Sequence, residues 1–278
     1  MDASEVLRKA RQRALNGGLP GATAMGFQVA SMMWLRTTVN YQYANGLGTR
    51  AALRALYADG GVRRFYRGLA PALVQGPMSR FGDTAANAGV LALMDSYDET
   101  RHMPVAAKTA AASAAAGAWR VALMPVDAFK TTMQVHGARG AEVVVRKVLE
   151  RGPRALYHGA AASAGATMAG HFPWFSTYNA ADAWLPEQQE RLPRLCRSAL
   201  MGFSASLVSD CVSNSARVVK TTRQTALHPL SYPDTVRHIV ARDGVLGLMG
   251  RGLQTRILSN GLQGVVFSVV WKELQAVM

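Results

Sequence analysis

The sequence predicts an all-α membrane protein: six long helices in three tandem units, each with a short surface helix. Three observations predict it. One short pattern recurs, as Arg36-Thr37-Thr38-Val39-Asn40, Lys130-Thr131-Thr132-Met133-Gln134 and Lys220-Thr221-Thr222-Arg223-Gln224. The Thr-Thr pairs recur with a period of about ninety residues, and an internal repeat constrains architecture before any single residue is read. A second landmark follows each copy in the same order: Tyr66-Arg67-Gly68, then Tyr157-His158-Gly159, then a weaker Met249-Gly250-Arg251. Finally, long stretches between the landmarks are poor in charge.

The first stretch runs from Ala14 to Leu35 with no charge between Arg13 and Arg36. That is long enough to span a bilayer, which needs ~20 residues at helical rise. The fourth, from about Arg154 to Asp182, is likewise nearly free of charge. Arg80 and Asp83 interrupt the second, Arg120 the third and Asp210 the fifth. The sixth, Ile257 to Trp271, is shorter and extends amphipathically at both ends. These stretches are rich in Ala, Gly and Ser, which let membrane helices approach closely. Amphipathic segments over 48–58, 138–150 and 231–242 predict the short surface helices. The units run over approximately 14–97, 104–185 and 195–276, within a single membrane domain. A soluble helical protein competes with this reading, but the regular pairing of charge-poor stretches weighs against it.

Composition narrows the function. Across 278 residues, 49% are hydrophobic and the formal net charge is +14. This pairing suits a membrane protein that meets anionic lipid or draws anions inside. The basic residues are scattered, without a zinc-finger or ribonucleoprotein motif, which argues against nucleic acid. Two cysteines, Cys196 and Cys211, make no disulfide framework, and the six histidines lack metal-ligand spacing. No nucleophile-base pair, metal cluster or phosphate-binding glycine loop points to an enzyme or a cofactor. The N-terminal segment has a basic face from Arg8, Lys9, Arg11 and Arg13, and reads as a surface amphipathic helix.

The chain resembles the mitochondrial carrier family over about residues 14–276. Odd-numbered helices of that family end in Pro-x-Asp/Glu-x-x-Lys/Arg-x-Lys/Arg-x-Gln. Here Pro125, Asp127, Lys130 and Gln134 match, and Thr132 departs. The aromatic-basic-Gly landmarks look like the family's step into its even helices. The resemblance implies six tilted helices around a central cavity that opens alternately to each side of the inner mitochondrial membrane. Proline kinks a helix, so Pro125 is the expected kink, and paired charges beyond it would close one end.

The pattern is degenerate in two copies. Ser31 and Met33 replace the proline and carboxylate in the first copy, and Ser215 and Arg217 in the third. The matrix-side gate is thus expected from Arg36, Asp127, Lys130, Arg217, Lys220, Gln134 and Gln224, with one acid among them. Thr38, Thr132 and Thr222 stand where the family has a second cation. At the other end, Tyr178 keeps the aromatic of the family's second closing motif and Asn179 replaces its acid.

Five residues back from Ser31, Pro125 and Ser215 lie Gly26, Arg120 and Asp210. An intramembrane charge is a functional hypothesis by default. Arg120 suits a carboxylate or phosphate, and Asp210 an amine. The competing reading is a buried Arg120–Asp210 pair that only fixes packing. In the even helices, twelve residues from Gly68, Gly159 and Arg251 reach Arg80, His171 and Gln263, a possible polar ring. Asp83 is the expected helical partner of Arg80. Arg67, Gly68 and Gly159 mark expected sites for anionic lipid such as cardiolipin, against a solvated basic loop. The expectation is a carrier of a small anionic or zwitterionic metabolite. The alternative is a transport-inactive carrier fold acting as a structural or assembly subunit of a membrane complex.

Overall fold

The computed structural model describes residues 25–186 and 190–263, and every regular element in them is helical. The basic N-terminal segment, the start of the first stretch and the end of the sixth lie outside the described residues. In chain order the elements are α1 (Met33–Asn45), α2 (Thr49–Ala58), α3 (Gly61–Phe65), α4 (Leu69–Ser96), α5 (Asp98–Arg101), α6 (Val105–Ala122), α7 (Met124–His136), α8 (Gly140–Arg151), α9 (Ala160–Trp184), α10 (Arg191–Thr225) and α11 (Tyr232–Gly250). Helical residues 25–31 precede α1 and 253–263 follow α11. Two 3-10 turns, Gly137–Arg139 and Pro153–Tyr157, flank α8. The fourth charge-poor stretch therefore becomes helix only from Ala160, after its first residues form a turn.

The expected kink takes three forms. In the middle copy, Leu123 separates α6 from α7, with Pro125 just inside α7. There its missing N–H costs nothing. In the first copy no proline is present, yet the helix breaks at Met32. Just before the break, the Ser31 hydroxyl bonds back to the Phe27 carbonyl at 2.8 Å, a contact that bends helices. In the third, α10 runs unbroken through Ser215 for 35 residues. Prolines also lie inside α4 (Pro77) and α9 (Pro173).

The helices bearing the Thr-Thr pairs, α1, α7 and α10, contact one another pairwise. Around them α4 packs on α6, α6 on α9 and α9 on α10. The last described helix returns to the first: Gln28 Nε2 donates to the Gln263 carbonyl at 3.1 Å, and Thr49 and Thr255 share a 2.7 Å hydroxyl bond.

Glycines fix these contacts. Gly68 and Gly159 adopt φ 84° and 93°, and a Cβ on them would stand 2.9 Å from the Lys130 carbonyl oxygen and 3.0 Å from that of Lys220. Gly252, at φ 66°, lies against the Tyr43 ring in the same manner. Only glycine tolerates both the left-handed backbone and the close approach. Threonines support the joints. Thr37 Oγ1 donates to the Phe65 carbonyl at 2.6 Å, and Thr222 Oγ1 to that of Tyr43 at 3.0 Å. Thr38, Thr132 and Thr222 are all buried, so the missing second cation is replaced by small packing residues.

No described helix is long and apolar enough to cross a membrane. Several are long enough, but they carry charges, as α10 carries Asp210, Arg217 and Lys220, or are built from Ala, Gly and Ser. The distribution of polarity is inverted. Leu73, Val74 and Phe81 on α4, Phe172 on α9, and Leu200, Phe203 and Val212 on α10 are exposed. Gln75, Ser79, Ser113, Asp127, Ser209, Asp210, Ser213 and Asn214 are buried.

Candidate functional site

A cavity of about 370 Å³ lies among the long helices. Six cations line it: Arg36, Arg120, Lys130, Arg217, Lys220 and Arg256. Asp127 is the one carboxylate among its lining residues. Gln75, Gln134, His171, Ser209, Asn260 and Gln263 add neutral polar groups.

Asp127 organises the helix ends below the cavity. It is 5% exposed. Its Oδ1 accepts from Lys130 Nζ at 2.6 Å, and its Oδ2 from Lys220 Nζ and, at 3.3 Å, from Gln224 Nε2. One acid thus ties α7 to α10. Lys130 Nζ also donates to Gln75 Oε1 at 3.1 Å, tying α7 to α4. Among the described residues Arg36 joins no carboxylate and donates instead to Gln263 Oε1. Arg217 Nε donates to Ser213 Oγ at 3.1 Å.

The charge pairs differ from those expected. Arg120 does not meet Asp210. It pairs with Asp83 at 2.6 Å, because α6 packs on α4. Asp83 accordingly serves as a partner across helices. Asp210, 3% exposed, is held by Arg256 Nε at 2.7 Å and by Asn260. Arg120 reaches the cavity, while Asp210 stands behind Arg256.

Residues 101–189 match the family model described as mitochondrial carrier protein. Over that segment the chain is similar to the mitochondrial carrier family. The matched segment holds the most complete motif, Pro125 to Gln134. No curated protein matches the chain.

The expected polar ring is only partly assembled among the described residues. His171 lines the cavity, and its Nδ1 lies 3.2 Å from Ser113 Oγ. Gln263 also lines it, bonded to Arg36. Arg80 is exposed on α4 and is not among the lining residues. The positive φ of Gly252 matches Gly68 and Gly159, which puts Gln263 eleven residues on where Arg80 and His171 are twelve.

Of the expected lipid-site residues, Arg67 is exposed, whereas Gly68 and Gly159 are buried against Lys130 and Lys220. Arg64 turns inward, pairing with Asp59 at 2.6 Å and donating to the carbonyls of Gln134 and Val135 at the end of α7. Lys147 does the same for α10, donating to the Gln224 carbonyl at 2.9 Å. Burial, and next the nearby Arg151, lower its pKa to about 8.

Sequence reasoning missed Arg256, Asn260 and Gln75. Arg256, just before the sixth stretch, and Asn260 within it stand four residues apart in the sequence. Gln75 carried no such signal.

Proposed function

We propose that the chain is a multi-pass solute carrier of the inner mitochondrial membrane that moves a small anion by alternating access. The observation that carries the anion is the charge of the cavity. Six cations and one carboxylate line it, and counting the aspartates that hold Arg120 and Arg256 still leaves three positive charges in excess. Low-dielectric walls focus such a field and draw anions in. A guanidinium 4 Å from a carboxylate gains about 4 kcal/mol at an effective dielectric of 20.

An ammonium group finds no comparable welcome. Asp127 already holds two lysines, and Asp83 and Asp210 each hold an arginine. This favours an anion over a zwitterion. Arg120 and His171 are the residues assigned to contact it, with Gln263 beside Arg36.

Membrane insertion is supported by the inverted polarity. Many Leu, Val and Phe side chains on the long helices are exposed, as contact with lipid or protein would require. Of the charges that spoil the helices as apolar spans, Arg120, Asp210, Arg217 and Lys220 face the interior, where intramembrane charges are tolerated, whereas Arg80 is exposed. Three similar units are supported by the recurring Gly68, Gly159 and Gly252 joints. The Asp127 network would close one end of the path, and its rupture would open it. No covalent chemistry is involved. Cardiolipin or another anionic lipid fits beside Arg67 on the outer surface.

Uptake into proteoliposomes tests the reading. Saturable exchange of an anion class, with amino-acid zwitterions and cations excluded, is expected. Absence of exchange for every class, with folded protein, would sink it.

A further inference from the structure

Arg217 occupies the place that Asp127 occupies one unit earlier. Each stands two residues after the first motif position, Pro125 or Ser215, and three before the motif lysine. In the first unit the same place is Met33. Two carboxylates are therefore absent from the motif helices, and at one of the two places the charge is reversed.

The side chains show the consequence. Among the described residues Arg217 Nε finds the hydroxyl of Ser213, one turn back on its own helix. Arg36 finds only the neutral oxygen of Gln263, and its Nε is buried without a partner. Neither has a carboxylate within ion-pair distance among the described residues. Arg256 lines the same cavity and shares Asp210 with Asn260. Arg256, Asn260 and Gln263 follow at helical i, i+4 and i+7 spacing and lie on one helix face. Three guanidiniums thus border one space with one carboxylate between them.

Unpaired guanidiniums in a partly desolvated cavity are costly unless something neutralises them. Their planar forks match an oxyanion bidentately. We propose that a small oxyanion with at least two negative charges, a dicarboxylate or a phosphate group, binds among Arg36, Arg217 and Arg256 and stands in for the two missing carboxylates. Arg36 lies on α1, Arg217 on α10 and Arg256 on the last described helix. An anion bridging them ties α1 to α10 and to the last described helix, two helices that Asp210 and Arg256 already join to each other. The cargo then acts as counter-ion of the closing network, which Asp127 alone completes only between α7 and α10. This rests on the reading of the cavity as a transport site.

Thermal unfolding of the purified full chain, with succinate, phosphate or acetate at matched ionic strength, is the test. Succinate or phosphate is expected to raise Tm saturably, and acetate to leave it unchanged. Arg36→Gln and Arg217→Gln should each weaken the dianion response by roughly 10- to 100-fold, the range for losing a hydrogen bond to a charged group. Neither should lower the ligand-free Tm, since each removes repulsion rather than a pair. Arg217→Glu restores the acid, so it should raise the ligand-free Tm and abolish the dianion response. If it does not fold, the glutamine variants decide. Equal protection by acetate, or wild-type dianion affinity in both glutamine variants, would overturn the proposal. Exchange assays on the same preparation separate the two levels. Exchange of a monoanion without dianion binding removes this site and leaves the carrier standing. No binding and no exchange of any anion removes both.

Discussion

Replacing Asp127 by Asn is predicted to be among the most damaging single changes in the chain. The carboxylate is buried, holds Lys130 at 2.6 Å, and holds Lys220 and Gln224 from the neighbouring helix. An asparagine keeps the volume and removes the charge. Two ammonium groups then face each other with no acid between them. Removing one member of a buried pair costs about 3–5 kcal/mol. The two lysine side chains are 16% and 15% exposed, so some hydration survives and the lower end, about 3 kcal/mol, applies. For a chain of this size each kcal/mol shifts Tm by about 2–4 °C, so the variant should melt about 6–12 °C lower. Lys220→Gln alone should cost less, since Asp127 keeps Lys130. Adding Lys220→Gln to the Asn variant should recover part of the loss by removing the stranded charge. Thermal unfolding of the purified protein measures all three. A shift below about 2 °C in the Asn variant, or no recovery in the double variant, would refute the view that one acid holds α7 to α10.

Three other outcomes are expected. Gly159→Ala should lower Tm by more than its left-handed backbone alone costs, about 1–2 kcal/mol, because the added Cβ would stand 3.0 Å from the Lys220 carbonyl oxygen. Lys147 is held near pKa 8, below its ordinary 10.5, by burial first and Arg151 second. Above pH 8 the unfolded chain therefore binds more protons, so stability should rise from about pH 8 to 10.5. Lys147→Met should remove that contribution from a pH series of Tm values. On native gels the protein should migrate as a small free species. A constant position within a large complex would favour the structural-subunit alternative.

The surface helices and two of the joint glycines, Gly68 and Gly159, were legible because they depend on local chemistry, whereas the third joint was placed at Arg251, one residue before Gly252. Segments expected at 48–58, 138–150 and 231–242 correspond to α2, α8 and the first part of α11, which Gly244 interrupts at φ 72°. The Thr-Thr pairs marked where three helices meet, because small buried residues are what such a meeting admits. Charge pairing was less legible. Arg120 and Asp210 share a depth in the sequence register, but partners are set by which helices adjoin, and α6 adjoins α4. The break at Met32 was hidden because a serine hydroxyl, rather than a proline, accompanies it. Arg256 was overlooked because nothing in its own stretch says that it faces a cavity. That follows only once Asp210 is found beside it.

Access to the cavity from both sides of a membrane tests the central claim most directly. Ser163 lines the cavity and is half-buried. A Ser163→Cys variant lacking Cys196 and Cys211, reconstituted in liposomes, can be probed with a membrane-impermeant thiol reagent from either face. The account predicts labelling from each face in separate experiments, at rates that succinate or phosphate changes. Labelling from one face only, whatever anion is present, would contradict it.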